Sequence, residues 1–333
     1  MNWVFLIFGM LFVFSAVYFL LGYYIRVYGM KVGQEIREDA PKHHILKKGT
    51  PTAAGIIFVT IPSIVSFFIL LKYLGLYIAV VFILLVLGSM MIGFIDDYFK
   101  IINKRNLGLK ARSKLFFQFV ITTICFFLLY LSNNFFVNNL GLNFYDIKVV
   151  NAVYSLGFLG YYVFLFFLVS GVSNATNLTD GLDGLAATLT IISLLGFLII
   201  ITILNFSFYP LYYVVLLFIS SLVAFLIYNF PKAKVIMGDS GSLSLGGFLV
   251  FLSIFLKSEA LLLFLGFMFF VVTLSVILQV IYFKLTKGSR LFYITPLHHH
   301  YEILGYTEKQ ILLRFSLLHS LMVLIGISIL KFY

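Results

Sequence analysis

The sequence has few charged residues and almost no cysteine. Only 11% of its 333 residues are charged and 62% are hydrophobic, whereas a typical soluble domain carries roughly 25% charged residues. The mean hydropathy is +1.10. This composition excludes an ordinary water-soluble globule and predicts an integral membrane protein. The single cysteine, Cys125, lies in an apolar run, which excludes an internal disulfide and a cysteine metal site.

Apolar runs of the length that crosses a bilayer, about 20 residues, recur along the whole chain. Ten spans are predicted, at 2–25, 52–71, 74–95, 114–132, 152–172, 184–204, 208–228, 242–256, 260–283 and 311–330. The first run lacks a charged leading segment and a clear cleavage site, so we expect a retained span. The sequence therefore predicts an all-α polytopic membrane protein, with residues 1–333 forming a single domain.

The basic residues are distributed unevenly between the two predicted surfaces. If the N-terminus lies outside, 19 of the 23 lysine and arginine residues fall on the inner side, and the positive-inside rule predicts both termini outside. Ten of the 12 acidic residues also fall inside, although the rule does not count acids. We therefore expect a functional site on the cytoplasmic face. Because orientation explains the net charge of +11, nucleic acid is not an expected partner.

Four polar islands interrupt the apolar sequence. They are FIDDYFK at 94–100, SNATNLTDGLDGLA at 173–186, MGDSGSL at 237–243 and TPLHHHYE at 295–302. Such side chains are costly near a bilayer unless they line a wet cavity or bind a ligand. We expect the four islands to meet on one side of the membrane.

The adjacent acids Asp96 and Asp97 have two interpretations. Neighbouring carboxylates repel unless a cation or a shared proton lies between them, as in a metal site or a general-base pair. The alternative is a solvated loop start, where Lys100 balances Asp96 as a helical pair four residues away. The same choice applies to Asp239: glycines on both sides would let backbone approach a phosphate beside Mg²⁺, or Asp239 or Ser242 would simply cap the next span.

The second island places two amides and two carboxylates three residues apart, near one face of a helix. These residues are Asn174, Asn177, Asp180 and Asp183. They offer oxygen ligands for a metal and acceptors for a base edge or a ribose. A polar turn accounts for LTDGLDG but explains four evenly spaced polar residues poorly.

The three consecutive histidines at 298–300 cannot all face one ion from a regular element, since neighbouring side chains point apart. Zinc is therefore disfavoured, and contact with phosphate or sugar, or proton transfer near neutral pH, is preferred. Lys47, Arg112 and Lys114 lie beside predicted spans, and ordinary positive-inside flanks are an alternative explanation for them.

In this order, the motifs KKGTPTAAG, FIDDYFK, GLKARSKLFFQ, NATNLTDGLDGLA, YNFPKAKVIMGDSGSLSLGG and TPLHHHYE resemble the bacterial phospho-N-acetylmuramoyl-pentapeptide transferase family. The resemblance extends from about Lys47 to Arg314. The acidic pair, the NxxNxxDGxDG pattern and the GD motif are shared by the wider superfamily of polyprenyl-phosphate sugar-1-phosphate transferases. The PLHHHYE run is similar to this family rather than to relatives that use N-acetylhexosamine phosphates.

The resemblance implies transfer of phospho-MurNAc-pentapeptide from its UDP carrier to undecaprenyl phosphate, which gives lipid I and UMP in peptidoglycan synthesis. It also implies Mg²⁺ as cofactor, ten spans in the bacterial cytoplasmic membrane, a cytoplasmic active site and a homodimer. Two mechanisms stay open: an aspartate of the 96–97 pair deprotonates or orients the lipid phosphate, or it forms a covalent phospho-aspartate.

The resemblance further implies roles for individual residues. Asp96, Asp97, Asp239 and His299 would be catalytic, and Asp239 and Asn177 would hold the metal. Asp183 would lie by the uracil and Asp180 nearer the ribose. The other residues implied to contact substrate are Lys47, Thr52, Lys100, Lys114, Asn174, Asn229, Ser242, Gln279, His298 and His300.

Three other functions fit the sequence less well. A polyprenyl-phosphate N-acetylglucosamine-1-phosphate transferase would share the scaffold, but the TPLHHHYE island argues against it. A transporter would carry charges at mid-span and show repeat symmetry, whereas these acids lie at span ends. A purely structural membrane protein would not need five aspartates on one face.

Overall fold

The computed structural model describes residues 3–29, 49–103, 108–149, 152–204 and 209–330. The helices are α1 Trp3–Tyr28, α2 Gly55–Tyr73, α3 Leu76–Ile83, α4 Ser89–Asn103, α5 Ala111–Leu131, α6 Asn133–Leu140, α7 Gly157–Thr179, α8 Leu185–Leu204, α9 Tyr209–Asn229, α10 Gly238–Phe255, α11 Leu262–Leu265, α12 Phe267–Leu285, α13 Leu297–Ile303 and α14 Glu308–Ile329. A π-helical turn, Leu84–Gly88, joins α3 to α4. Strands β1 Asp146–Val149 and β2 Ala152–Ser155 pair antiparallel, with Asp146 opposite Ser155.

Ten of the described helices are long and apolar enough to cross a membrane, with α3, the π-turn and α4 counting as one span, Leu76–Asn103. This confirms the predicted all-α polytopic architecture. The β1–β2 hairpin was not predicted. It occupies the segment where the fifth span was expected to start, and α7 begins only at Gly157.

Among the helix boundaries that differ from the predicted spans, three carry part of a polar island into a helix. The third span was predicted to end at 95, but α4 continues to Asn103. The fifth was predicted to end at 172, but α7 continues to Thr179. The eighth was predicted to start at 242, but α10 begins at Gly238. Hydropathy marks where apolar side chains stop, whereas backbone hydrogen bonds hold the helix beyond that point.

Helix α10 is the centre of the bundle. Its side chains are buried from Ser240 to Phe255, and it packs against α2, α4, the π-turn and α7. Small residues allow this packing: a Cβ added at Gly246 would overlap the backbone of Ser173, and one at Gly247 would overlap the carbonyl of Leu85. Such close approach of backbones is how helices associate where lipid removes the hydrophobic driving force.

The ninth span is broken at Gly266, between α11 and α12, and buried polar side chains bind the freed backbone groups. The N–H of Met268 donates to Nδ1 of His319 at 3.4 Å. Nε2 of His319 lies 3.0 Å from Oγ of Ser193, which donates to the carbonyl of Leu265 at 2.5 Å. Since Nδ1 accepts, the proton lies on Nε2, and the three groups form one donor chain across α8, α12 and α14.

Candidate active site

The acids of the first and third islands converge at one end of the bundle. Asp96 and Asp97 lie on α4, and Asp239 lies in the first turn of α10. One oxygen from each carboxylate lies within 4.8 Å of the others. The side chains of Asp96, Asp97 and Asp239 are 1%, 3% and 14% exposed. The interpretation of the acidic pair as a solvated loop start is therefore wrong.

Asp97 binds the start of α10. Its Oδ1 accepts from the backbone N–H of Asp239 and its Oδ2 from that of Ser240, both at 3.0 Å. The residue before the helix, Met237, forms no side-chain cap. First-turn amides lack helical partners and favour an anion. The cap that was considered for Asp239 or Ser242 is thus supplied by a carboxylate from another helix.

Asp96 is fixed by the segment before α5 and by Lys100. The backbone N–H of Leu109 donates to its Oδ1 at 2.6 Å, and Nζ of Lys100 lies 2.6 Å from its Oδ2. The predicted helical pair between Asp96 and Lys100 is confirmed, but it is buried at the carboxylate end. A Cβ added at Gly108 would overlap the Asp96 carboxylate, so the chain before α5 can approach Asp96 only because this residue is glycine.

Lys100 and Lys114 bridge the carboxylates. Nζ of Lys100 lies 3.0 Å from Oδ1 of Asp239, and Nζ of Lys114 lies 2.6 Å from its Oδ2. Lys114 also lies 3.1 Å from Oδ1 of Asp96. The interpretation of Lys114 as an ordinary flanking residue is wrong. We name five side chains the carboxylate–lysine cluster: Asp96, Asp97, Lys100, Lys114 and Asp239.

Asn177 and Ser242 lie beside this cluster. Helix α7 contacts the first turns of α10 through two hydrogen bonds: Nδ2 of Asn177 donates to Oγ of Ser242 at 2.9 Å, and Oγ1 of Thr176 donates to its carbonyl at 2.7 Å. One turn earlier, Nδ2 of Asn174 donates to Oε1 of the buried Gln118 at 3.3 Å and to the carbonyl of Ser170 at 2.7 Å. The second and third islands therefore meet, as expected.

Asp183 and Asn229 join the loop after α7 to the loop after α9. The N–H of Ala233 donates to Oδ2 of Asp183 at 2.8 Å. Oδ1 of Asn229 accepts from the N–H of Gly184 at 2.9 Å, and its Nδ2 donates to the carbonyl of Val235 at 2.8 Å. Both side chains are buried. Asp180 ends α7 at the C-cap and is half-buried.

The three histidines have different surroundings, as their spacing predicted. A Cβ added at Gly181 would overlap Nε2 of the buried His298, so this ring lies against the turn after Asp180. Nδ1 of His299 lies 2.5 Å from Oε2 of Glu302. Nδ1 of His300 accepts from the N–H of Tyr293 at 3.2 Å. His298 of the fourth island therefore lies against Gly181 of the second island.

Of the three remaining predicted residues, the structure describes Thr52 and Gln279. Thr52 is buried, and its carbonyl accepts from the hydroxyl of Tyr24 at 2.6 Å. Oε1 of Gln279 accepts from the N–H groups of Leu291 and Phe292 at 3.1 and 2.8 Å, so this side chain holds the loop before α13. Lys47 lies outside the described residues.

Two residues of the site, Gln118 and Gly93, were not predicted from the sequence. Gln118 belongs to the GLKARSKLFFQ motif, in which the resemblance implies a role only for Lys114. Gly93 faces α10, where an added Cβ would overlap the carbonyl of Asp239. A glycine one turn before the acidic pair is the signal that a backbone passes close by.

Comparison with known proteins identifies similar sequences. A family model described as glycosyl transferase family 4 matches residues 77–257, which include all five members of the cluster. The chain is 38% identical over 288 residues to a phospho-N-acetylmuramoyl-pentapeptide-transferase of Listeria monocytogenes, covering 86% of each chain. Proteins of the same name from Bacillus subtilis and Bacillus thuringiensis are 39% and 40% identical over 301 residues, covering 90% of each chain.

Proposed function

Because the chain belongs to the phospho-N-acetylmuramoyl-pentapeptide transferases of glycosyl transferase family 4, we propose that it transfers phospho-MurNAc-pentapeptide from UDP-MurNAc-pentapeptide to undecaprenyl phosphate. The products are lipid I and UMP, and the step belongs to peptidoglycan synthesis. The carboxylate–lysine cluster is the observation that supports this reaction in this chain.

The chemistry of the cluster suits phosphoryl transfer, in which catalysis is mostly positioning and charge neutralisation. Lys100 and Lys114 supply positive charge for phosphate oxygens, and lysine binds phosphate as a compact point charge. Backbone amides of Asp239 and Ser240, together with Leu109, fix the acids. A rigid set of acids beneath two flexible cations can orient a diphosphate without being rebuilt during turnover.

The residues fit Mg²⁺. Three carboxylates with oxygens within 4.8 Å of one another offer the hard oxygen ligands that this ion prefers. Asp239 is the central candidate ligand, and Asn177 is a candidate co-ligand because it binds Ser242, one turn beyond Asp239. When bound, Mg²⁺ would neutralise charge on the diphosphate and on the departing UMP.

The two acids of α4 have different surroundings, and we assign them different roles. Both oxygens of Asp97 accept fixed backbone N–H groups, so Asp97 holds the first turn of α10. Asp96 has one backbone donor, and two lysine ammonium groups lie within 3.1 Å of its oxygens. When phosphates draw those ammonium groups away, Asp96 gains an exposed acceptor that can orient or deprotonate the lipid phosphate. A covalent phospho-aspartate is the alternative, and acid-quench trapping of a labelled phospho-enzyme would reject direct transfer.

UMP release from purified protein with undecaprenyl phosphate and Mg²⁺ tests the function. UDP-MurNAc-pentapeptide and UDP-N-acetylglucosamine are offered separately, and Asp239→Asn serves as the inactive control. We expect release with the first donor only. Release with the second donor only would move the protein to the sister transferases of the same scaffold, and release with neither from folded protein would overturn the proposal.

We also propose that the protein lies in the bacterial cytoplasmic membrane, with both termini outside, the cluster on the cytoplasmic side, and two copies forming a homodimer. The charge asymmetry of the sequence supports the orientation. The UDP-linked donor is water-soluble, so a site at the end of the bundle, rather than at mid-span, gives it access.

A further inference from the structure

Two ammonium groups occupy the carboxylate oxygens that a divalent cation would need. Both oxygens of Asp239 have a lysine within 3.0 Å, Lys100 on Oδ1 and Lys114 on Oδ2. The same two lysines lie 2.6 and 3.1 Å from the oxygens of Asp96. Each ammonium therefore bridges two acids that belong to different helices.

A metal ion bound to these oxygens would lie close to both lysine ammonium groups. Mg²⁺ binds oxygen at about 2.0–2.1 Å, and an ammonium hydrogen-bonded to that oxygen would lie only a few ångströms from the ion. Like charges at that separation in a largely buried site repel strongly. Departure of at least one lysine from Asp239 would relieve this repulsion when a divalent cation binds.

The lysines are the movable members of the cluster. Asp97 and Asp96 are fixed by backbone N–H groups, and Asp239 is fixed by the first turn of the buried helix α10. The side chains of Lys100 and Lys114 are 28% and 17% exposed, and a lysine stem has four rotatable carbons. An ammonium that leaves Asp239 therefore moves toward the open side of the site.

We propose that Lys100 and Lys114 are exchangeable counter-ions. They neutralise the carboxylates until a divalent cation binds Asp239, and they then transfer to the phosphate oxygens of the arriving nucleotide. The cation and the diphosphate therefore bind with positive coupling, and the cation alone binds weakly. By linkage, each ligand raises the affinity for the other by the same factor. The inference rests on the proposed function, because it takes the diphosphate of the donor as the second ligand.

Mn²⁺ binding, followed by electron paramagnetic resonance on protein in lipid nanodiscs, tests the inference. The wild type, Lys114→Met and Lys100→Met are titrated with Mn²⁺, with and without UDP. Without UDP, we expect either lysine variant to bind Mn²⁺ at least about tenfold more tightly than the wild type, since a competing charge has been removed. UDP should strengthen Mn²⁺ binding to the wild type and do so less in the variants.

Lys110→Met is the matched control, because Lys110 is exposed and precedes α5, the helix that carries Lys114. It should leave Mn²⁺ affinity within about twofold of the wild type, as expected for a screened surface charge. Lys114→Arg should keep Mn²⁺ binding weak. Unchanged or weaker Mn²⁺ binding in folded Lys114→Met and Lys100→Met would overturn the inference.

The outcome is separable from the test of function. The titration uses neither the sugar donor nor the lipid acceptor. A sister transferase with the same cluster would therefore give the same Mn²⁺ affinities. If neither donor supports UMP release but the lysine variants bind Mn²⁺ more tightly, only the assigned reaction is rejected. The counter-ion exchange is then still supported.

Discussion

The Asp97 carboxylate has two structural roles. As a carboxylate on α4 it lies beside Asp239, and as an acceptor it binds two first-turn amides, those of Asp239 and Ser240, in the helix that carries Asp239. An asparagine at this position would keep one acceptor oxygen but present an N–H₂ group to the other amide. The geometry of the acids therefore depends on both oxygens of this residue.

Asp97→Asn should lower UMP release by about 10²-fold or more, because Asp239 loses its fixed position and the site loses a carboxylate. Steady-state kinetics with UDP-MurNAc-pentapeptide would measure the effect. Asp146→Asn, at an acid of the β1–β2 hairpin that bonds Asn143, is the control and should retain most activity. A near-normal rate for Asp97→Asn would remove Asp97 from the site.

At the scale of elements, contact between α4 and α10 depends on the absence of a side chain at Gly93. An added Cβ there would overlap the carbonyl of Asp239, which is backbone and cannot swing away. The two helices are close enough for Asp97 to bind α10 only because of this glycine. Helix packing and the geometry of the carboxylate–lysine cluster are therefore coupled at one position.

Gly93→Ala should lower the free energy of unfolding by about 1–3 kcal/mol through overpacking and should also reduce UMP release. Gly171→Ala is the matched control, because Gly171 lies in α7 with nothing within 4 Å of an added Cβ. Alanine there should be neutral or stabilising, by up to about 1 kcal/mol. Thermal unfolding in detergent would compare the two. Equal stability of both variants would contradict the close approach of α4 and α10.

A second packing element is the donor chain at the break before α12. His319→Leu should lower the free energy of unfolding by about 1–3 kcal/mol, because it leaves a buried N–H at Met268 without its acceptor. The control is Ser328→Ala, at an exposed position of the same helix, which should change stability by less than about 0.5 kcal/mol. An unfolding midpoint for His319→Leu equal to that of the wild type would argue against a structural role for the donor chain.

For the whole molecule, the four islands meet at one end, although they are separated by long apolar helices. The ten candidate spans of the described residues would return the chain alternately to the two membrane surfaces. Polar segments that follow odd-numbered and precede even-numbered spans would then collect on one side. The positive charge on the same side predicts that this side is cytoplasmic.

Single cysteines test that orientation, because Cys125, the native thiol, is buried. Ser155→Cys, at an exposed position of β2, should react with a membrane-impermeant maleimide on intact cells, and Ser289→Cys, at an exposed position after α12, should react only after permeabilisation. The wild type is the control and should stay unlabelled. Labelling of Ser289→Cys on intact cells would reverse the proposed topology.

Much of the fold could be predicted because the bilayer imposes a strict rule on the sequence. A segment in lipid must satisfy its own backbone hydrogen bonds and must be apolar over about 20 residues, so the ten spans are visible in composition alone. The four islands are visible for the converse reason, since polar groups there require a ligand or a wet cavity. The sequence by itself therefore determined the helical architecture, the number of spans and the identity of the acids.

The tertiary structure alone decided how those residues act on one another. Hydropathy could not reveal that α4, α7 and α10 extend into the islands, or that Asp97 caps a helix 142 residues later in the chain. Nor could spacing reveal that Lys100 and Lys114 share the oxygens of Asp96 and Asp239. Contacts between distant segments depend on which backbones approach closely, and glycines such as Gly93 and Gly108 permit that approach without specifying a partner.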